Sequence, residues 1–163
     1  MAVPEFILRL RKHVGHELLW LTGVTGVVID PHGRILLHRR ASDGCWGTPG
    51  GILEPGEQPA AALAREVAEE TGIHVVPERV ACVHTEQPWT YENGDVVQIL
   101  DIAFRCRPVG GELRADGDES LDVGWFAPDE LPAMSEMVMR RIRHASHERG
   151  EAWFDSGTAA PGG

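Results

Sequence analysis

Residues 51–73 read GILEPGEQPAAALAREVAEETGI, and no other stretch of this 163-residue chain restricts its folding as tightly. The stretch opens as a loop punctuated by Gly and Pro through Gly56. It then becomes an uninterrupted helix former from about residue 58 to residue 71. Glu57 and Gln58 stand at the junction, where an acidic side chain suits a helix N-terminus. Gly72 ends the helix, as a C-terminal glycine commonly does. At ~100° per residue, Ala60, Leu63, Ala64, Val67 and Thr71 fall on one side, which can pack on a sheet. Glu66, Glu69 and Glu70 fall beside that stripe, within roughly a quarter to a third of the circumference. Like charges at these spacings repel on an exposed helix, and no lysine is interleaved to relieve them. One reading is a solvated acidic face. The other is a set of carboxylates converging on a hard divalent cation such as Mg²⁺, which takes oxygen ligands. The helix offers neither sulfur nor imidazole, so zinc is not expected.

The whole stretch matches the Nudix box, G-x5-E-x7-R-E-U-x-E-E-x-G-U with U aliphatic, at every fixed position. Those positions are Gly51, Glu57, Arg65, Glu66, Val67, Glu69, Glu70, Gly72 and Ile73. On these residues the chain resembles the Nudix hydrolases. The resemblance implies an α/β fold: an α/β/α sandwich with a mixed β-sheet between helices. It implies Mg²⁺- or Mn²⁺-dependent hydrolysis of the pyrophosphate bond in a nucleoside diphosphate linked to another moiety, of ADP-ribose or nucleotide-sugar type, or in a nucleoside triphosphate. Carried over position by position, Glu66 and Glu70 become the primary metal ligands and Glu69 a ligand or a base. Glu57 would act through water or a second metal, and the carbonyl of Gly50 would be a further ligand. Arg65 would orient a neighbouring carboxylate. The alternative is a Nudix domain that binds nucleotides as a sensor without cleaving them. Such domains usually lack one or more box carboxylates, and this chain lacks none.

The balance of 15 Lys and Arg against 25 Asp and Glu gives a net charge of −10. That excludes a long nucleic acid as the expected partner, since such binding relies on basic residues neutralising phosphates. A small phosphorylated nucleotide remains compatible, because bound cations can invert the local field. The length suits one domain over residues 1–154, with an N-terminal helix or arm at about 4–21 that could pack on a second copy in a homodimer. Residues 155–163 are small and rich in Gly and Pro, and are expected to be disordered. Cys45, Cys82 and Cys106 lack zinc-type spacing, and their odd number suggests free thiols. With no signal peptide and no apolar run long enough to span a membrane, a cytoplasmic location is expected.

Outside the box, residues 23–30 and 34–40 flank a Pro31-His32-Gly33 turn and predict a hairpin. Arg39 and Arg40 at its end are either solvent-facing charges or a phosphate clamp, for which a guanidinium is well shaped. Trp46, ahead of the Pro49-Gly50-Gly51 lead-in, is expected in the core. One or two strands are predicted over residues 74–87, and Asn93-Gly94 predicts a second hairpin returning along 96–107. Val97, Ile99, Ile102 and Phe104 are read as one alternating set there, and residues 108–111 as a turn. The acidic loop 115–122 holds Glu119, the candidate general base; otherwise the loop is merely solvated. A strand at 123–127 and an amphipathic helix at 136–147 complete the chain. In the segment 87–91, Trp89 and Tyr91 either line the nucleoside pocket by stacking on a base or pack at a strand end.

Overall fold

The computed structural model describes residues 3–157. In chain order the elements are α1 (Glu5–Val14), β1 (Leu19–Val28), β2 (Ile35–Arg40), β3 (Trp46–Gly47), β4 (Gly50–Ile52) and α2 (Pro59–Thr71). They continue with β5 (Ile73–Thr85), β6 (Trp89–Thr90), β7 (Val96–Gly111), β8 (Ser120–Phe126), α3 (Glu136–Ala145) and β9 (Trp153–Phe154). The larger sheet has the order β4-β1-β7-β5-β9, with β6 also on β7, and a smaller sheet has the order β3-β2-β8. β1 runs parallel to β7 and antiparallel to β4, so the larger sheet is mixed.

Strand periodicity places one helix on each face. Val24 and Val28 of β1 point to α2 and share a core with Leu36, Leu63, Val67 and Phe104. Val27 points the other way, toward Val138, Ile142 and Ala145 of α3, together with Ile35 and Leu37. Fully burying residues such as Leu63 and Val67 contributes about 1.5–3 kcal/mol each. This is the α/β/α sandwich the box implied. α2 begins where Pro59 takes a first-turn position, and Gly72 closes it in the left-handed conformation (φ 73°) with its N–H on the Ala68 carbonyl. A Cβ on Gly72 would stand 2.2 Å from the Glu112 carbonyl, so no other residue fits there without moving the backbone. α1 packs Ile7 against Leu21, Ile52 and Val97 at the β4 end of the sheet, while Leu8, Leu10 and Val14 stay exposed.

Several sequence expectations require correction. The strands flanking Pro31-His32-Gly33 do not form a ladder; only an isolated bridge, Ile29 to Ile35, joins them. The turn itself forms, because the Asp30 carboxylate accepts from the N–H groups of His32 and Arg34. Both edges of β1 are already taken by β4 and β7, so β2 peels away to build the second sheet with β3 and β8. Val97 and Ile99 are not on the same face as Ile102 and Phe104, since their numbers differ in parity along an unbroken register with β1. The first pair packs toward α1 and the second toward α2. Residues 108–111 do not turn the chain but extend β7, and Pro108 is tolerated beside a register shift opposite Val75. β8 begins at Ser120 rather than 123, and α3 ends at Ala145. β9, which adds two residues to the edge of β5, was not expected. Of the proposed tail, residues 158–163 lie outside the described residues. The Asn93-Gly94 hairpin forms between β6 and β7, with Gly94 at φ 88°.

Candidate active site

The box carboxylates are set by α2 and by the short strand in front of it. Gly51 lets the β4 backbone run directly over Glu66: a Cβ there would fall 2.3 Å from the carboxyl carbon. Glu70, one turn on, is buried and accepts the Gly50 N–H at 2.9 Å. Burial pushes the Glu70 carboxyl up to about 8, against the Gly50 N–H, and the nearby Glu66, Glu119 and Asp116 add to the rise. Burial also raises Glu66, opposed by Arg65. These two carboxylates are therefore held in a place that disfavours their charge unless a cation joins them.

Arg65 gathers the others. Its Nε and Nη2 donate to the two oxygens of Glu57 at 3.0 and 3.1 Å, and its Nη1 donates to Glu66 at 3.0 Å and to Glu69 at 3.1 Å. Hydrogen bonding from Arg65 holds Glu57 below the usual carboxylate range and raises the guanidinium in return. Glu57, Glu66 and Glu69 are thus brought together around one guanidinium, with Glu70 deeper beside Gly50.

A cleft of about 300 Å³ opens over this cluster. Arg65, Glu66 and Glu69 line one wall and Asp116, Asp118 and Glu119 line the other. The second wall is a built turn. Asp116 Oδ1 accepts from the N–H groups of Asp118, Glu119 and Ser120 at 2.8–3.0 Å, Gly117 takes φ 81°, and the Ala41 N–H donates to the Glu119 carbonyl. Burial alone would raise the Asp116 carboxyl; its N–H donors hold it below its ordinary value.

The remaining candidates lie elsewhere. Arg40 is engaged by Asp43 through two bonds, at 3.2 and 2.6 Å, within its own loop. Arg39 sits in β2 opposite Trp46 and Asp122. Trp46 packs on Phe126 with ring centroids 4.9 Å apart, as a core residue does. Trp89 packs with the Ile7, Leu21, Ile52 and Val97 cluster and meets Tyr91 edge-on at 5.8 Å, leaving Tyr91 half exposed.

Two groups of polar residues escaped the sequence reading. His38 and Ser120 are buried and share a 2.7 Å hydrogen bond, and His38 Nδ1 lies 3.9 Å from Glu70 Oε2. Burial, with Arg40 adding to it, pushes His38 down to about 4, so the imidazole is neutral. On the other face, Arg141 of α3 donates to Asp101 at 2.9 Å and to Glu86 at 2.7 Å, with Thr25 donating to Asp101 at 2.7 Å. The sequence signal is clear for Asp101, which interrupts the apolar run of β7, and weaker for His38, which ends the apolar run of β2 before Arg39 and Arg40.

The family model of the NUDIX domain matches residues 20–147. The chain belongs to the NUDIX family, and its enzyme class is that of the Nudix pyrophosphohydrolases. It is 42% identical over 123 residues to a MutT-like protein of Streptomyces ambofaciens, a match covering 75% of this chain and 74% of that protein. It is 33% identical over 136 residues to the 8-oxo-dGDP phosphatase NUDT18 of Homo sapiens, covering 79% of this chain but only 37% of that longer protein. A solved MutT NUDIX hydrolase from Burkholderia pseudomallei superposes with a TM-score of 0.62 at 28% identity, over 77% of this chain and 98% of that one. Among the described residues no helix is long and apolar enough to cross a membrane.

Proposed function

We propose that this enzyme hydrolyses the pyrophosphate linkage of a small nucleoside diphosphate derivative, with Mg²⁺ or Mn²⁺ held at Glu66 and Glu70. The observation that carries the reading is the cleft whose two walls present carboxylates to each other. A polyanionic pyrophosphate would be repelled from such a cleft, and so would hydroxide, unless a cation lay between. The donor set fits a hard cation, being all oxygen, with Glu70 buried and Glu66 partly buried where their charge lacks full compensation. As placed, no three acidic or imidazole side chains among the described residues stand close enough to chelate an ion. The carbonyl of Gly50 and water would complete the set, and Mg²⁺ characteristically keeps several waters. Bound there, a divalent cation neutralises phosphoryl charge and lowers the pKa of a water.

The protein's own contributions follow from the contacts. Glu66 and Glu70 hold the ion. Arg65 orients Glu66 and keeps Glu57 and Glu69 from repelling it, with Glu69 in reserve as a ligand or base. Glu119 faces them across the cleft, where it can take a proton from the attacking water. Arg39 and Arg40, outside the cleft lining, would serve as a phosphate clamp only with Arg40 released from Asp43. Tyr91, with Trp89 behind it, offers an exposed ring for base stacking. That NUDT18 is an 8-oxo-dGDP phosphatase supports a nucleoside diphosphate as the substrate class. A turnover screen with Mg²⁺ over nucleoside triphosphates, oxidised nucleotides, ADP-ribose, nucleotide sugars, NADH and dinucleoside polyphosphates tests the reading. Absence of hydrolysis of all of them would overturn it.

Metal binding has its own readout. At tenfold its dissociation constant, Mg²⁺ should stabilise the fold by about 1.4 kcal/mol through mass action. The rise in melting temperature should vanish in Glu66→Gln/Glu70→Gln. That variant should melt higher than wild type without metal, having lost two adjacent carboxyl groups whose ionisation burial disfavours. Monovalent salt at matched ionic strength controls for screening, and equal shifts in both proteins would mean that these carboxylates do not hold the ion. For the base, Glu119→Gln should slow single turnover by about tenfold or more while leaving substrate affinity unchanged. If the rate survives neutralisation of Asp118, Glu119 and Asp122 in turn, Glu69 takes the role.

A further inference from the structure

The turn that carries Glu119 is locked internally by Asp116, but something must fix it relative to α2. The register between β2 and β8 shows how. His38 pairs with Val123 and Arg39 with Asp122, but Arg40 pairs with Ser120, so Leu121 is an extra residue in β8. Without that bulge, Ser120 would lie on the face of β8 opposite to Val123 and His38. The bulge turns Ser120 to the His38 face and leaves Leu121 exposed. Ser120 Oγ then meets His38 Nδ1 at 2.7 Å, with both residues buried. The same Nδ1 lies 3.9 Å from Glu70 Oε2, and Glu70 is fixed by the Gly50 N–H at 2.9 Å. A buried hydrogen bond thus ties the Glu119 turn to His38, and His38 packs against Glu70 without bonding to it.

We propose that His38 and Ser120 are positioning residues that hold the Glu119 turn in register with the Glu70 end of the site, so that the two walls of the cleft face each other at a fixed distance. Neither lines the cleft: Ser120 acts through the turn it anchors, and His38 through its hydrogen bond to Ser120 and its packing beside Glu70. The inference rests on the proposed hydrolysis for its kinetic consequence but on geometry for its structural one, so the two can fail separately.

The experiment uses the full chain. Ser120→Ala and His38→Leu should each lower kcat about fivefold to twentyfold with KM within about twofold of wild type, because the wall is misaligned rather than the substrate lost. His38→Asn, which keeps a polar atom near the position of Nδ1, should recover most of the rate. In a Glu119→Gln background, Ser120→Ala should cost nothing further, since the residue it positions no longer acts. Undiminished kcat in Ser120→Ala, or an equal loss with and without Glu119, would overturn the proposal. A second measurement does not depend on turnover. Hydrogen exchange at the amides of Asp118 and Glu119 should quicken about fivefold or more in Ser120→Ala. Unchanged exchange would overturn the link even if the wild-type protein hydrolysed none of the substrates, an outcome that would separately overturn the proposed reaction.

Discussion

Replacing Glu70 with glutamine is expected to lower turnover at least about a hundredfold, a loss of roughly 2.7 kcal/mol of transition-state stabilisation, while leaving the protein folded. Glutamine is nearly isosteric, and its carbonyl oxygen can still accept the Gly50 N–H that now reaches Glu70 Oε2 at 2.9 Å. Fold stability should therefore hold or rise, because the variant removes a buried carboxylate that burial already pushes up to about 8. What the variant cannot do is present a negative charge to a cation shared with Glu66. The measurement is kcat at saturating Mg²⁺ beside a urea melt of the same preparation. Near-wild-type turnover would remove Glu70 from the ion's ligands. Lost turnover with lost folding would show that the carboxylate is needed for structure instead. A partial return of activity at much higher metal concentration would be the signature of weakened ion binding.

Glu66, Glu69 and Glu70 could be found from sequence because their relation is local. Three carboxylates on one turn share a face wherever the helix is placed, and Gly51, Glu57 and Arg65 lie within one turn and loop of them. The Arg65 cluster follows almost directly, with bonds to Glu57, Glu66 and Glu69. Glu119 could only be a candidate, since nothing in residues 115–122 states that the turn will close over α2. Its position depends on a bulge between β2 and β8, and a bulge leaves no mark in a strand's composition. The same limit explains the misplaced hairpin. The Pro31-His32-Gly33 turn is legible in the sequence, but whether its flanking strands pair depends on which strands claim the edges of β1, and those claimants, β4 and β7, lie far apart in sequence. The faces of β7 are legible from residue parity alone, since Val97 and Ile102 cannot share a face of a regular strand.

Arg141 shows what tertiary structure adds to an ordinary-looking helix residue, and its removal should have the largest effect on stability. Arg141→Met is expected to destabilise the fold by about 3–5 kcal/mol, because it strands buried carboxylates rather than merely losing a contact. Asp101 is 3% exposed and would keep only its bond from Thr25, while Glu86 would lose its 2.7 Å partner. Glu86 opens the segment that carries Trp89 and Tyr91, so loosening should spread toward the candidate base-stacking surface. Urea unfolding measures the loss, and Arg141→Met/Asp101→Asn should recover much of it by removing the isolated charge. His84 adds a pH dependence. Its two ring nitrogens are buried without hydrogen-bond partners among the described residues, 3.9 Å from Glu86 and 4.0 Å from Asp101. In wild type, burial lowers His84 below its ordinary value, Arg141 and Arg140 add to this, and Asp101 opposes. Without Arg141, one of the charges that lowers His84 is gone while burial still lowers it and Asp101 still opposes, so its folded pKa should rise toward the unfolded value and the protonated ring can answer both carboxylates as pH falls. A histidine depressed in the folded state costs stability as pH falls below its unfolded pKa, and costs less the smaller the depression. The cost of Arg141→Met should therefore be smaller near pH 5.5 than near pH 8. A cost under about 1 kcal/mol at both would mean that Asp101 and Glu86 reach water and behave as a surface pair does.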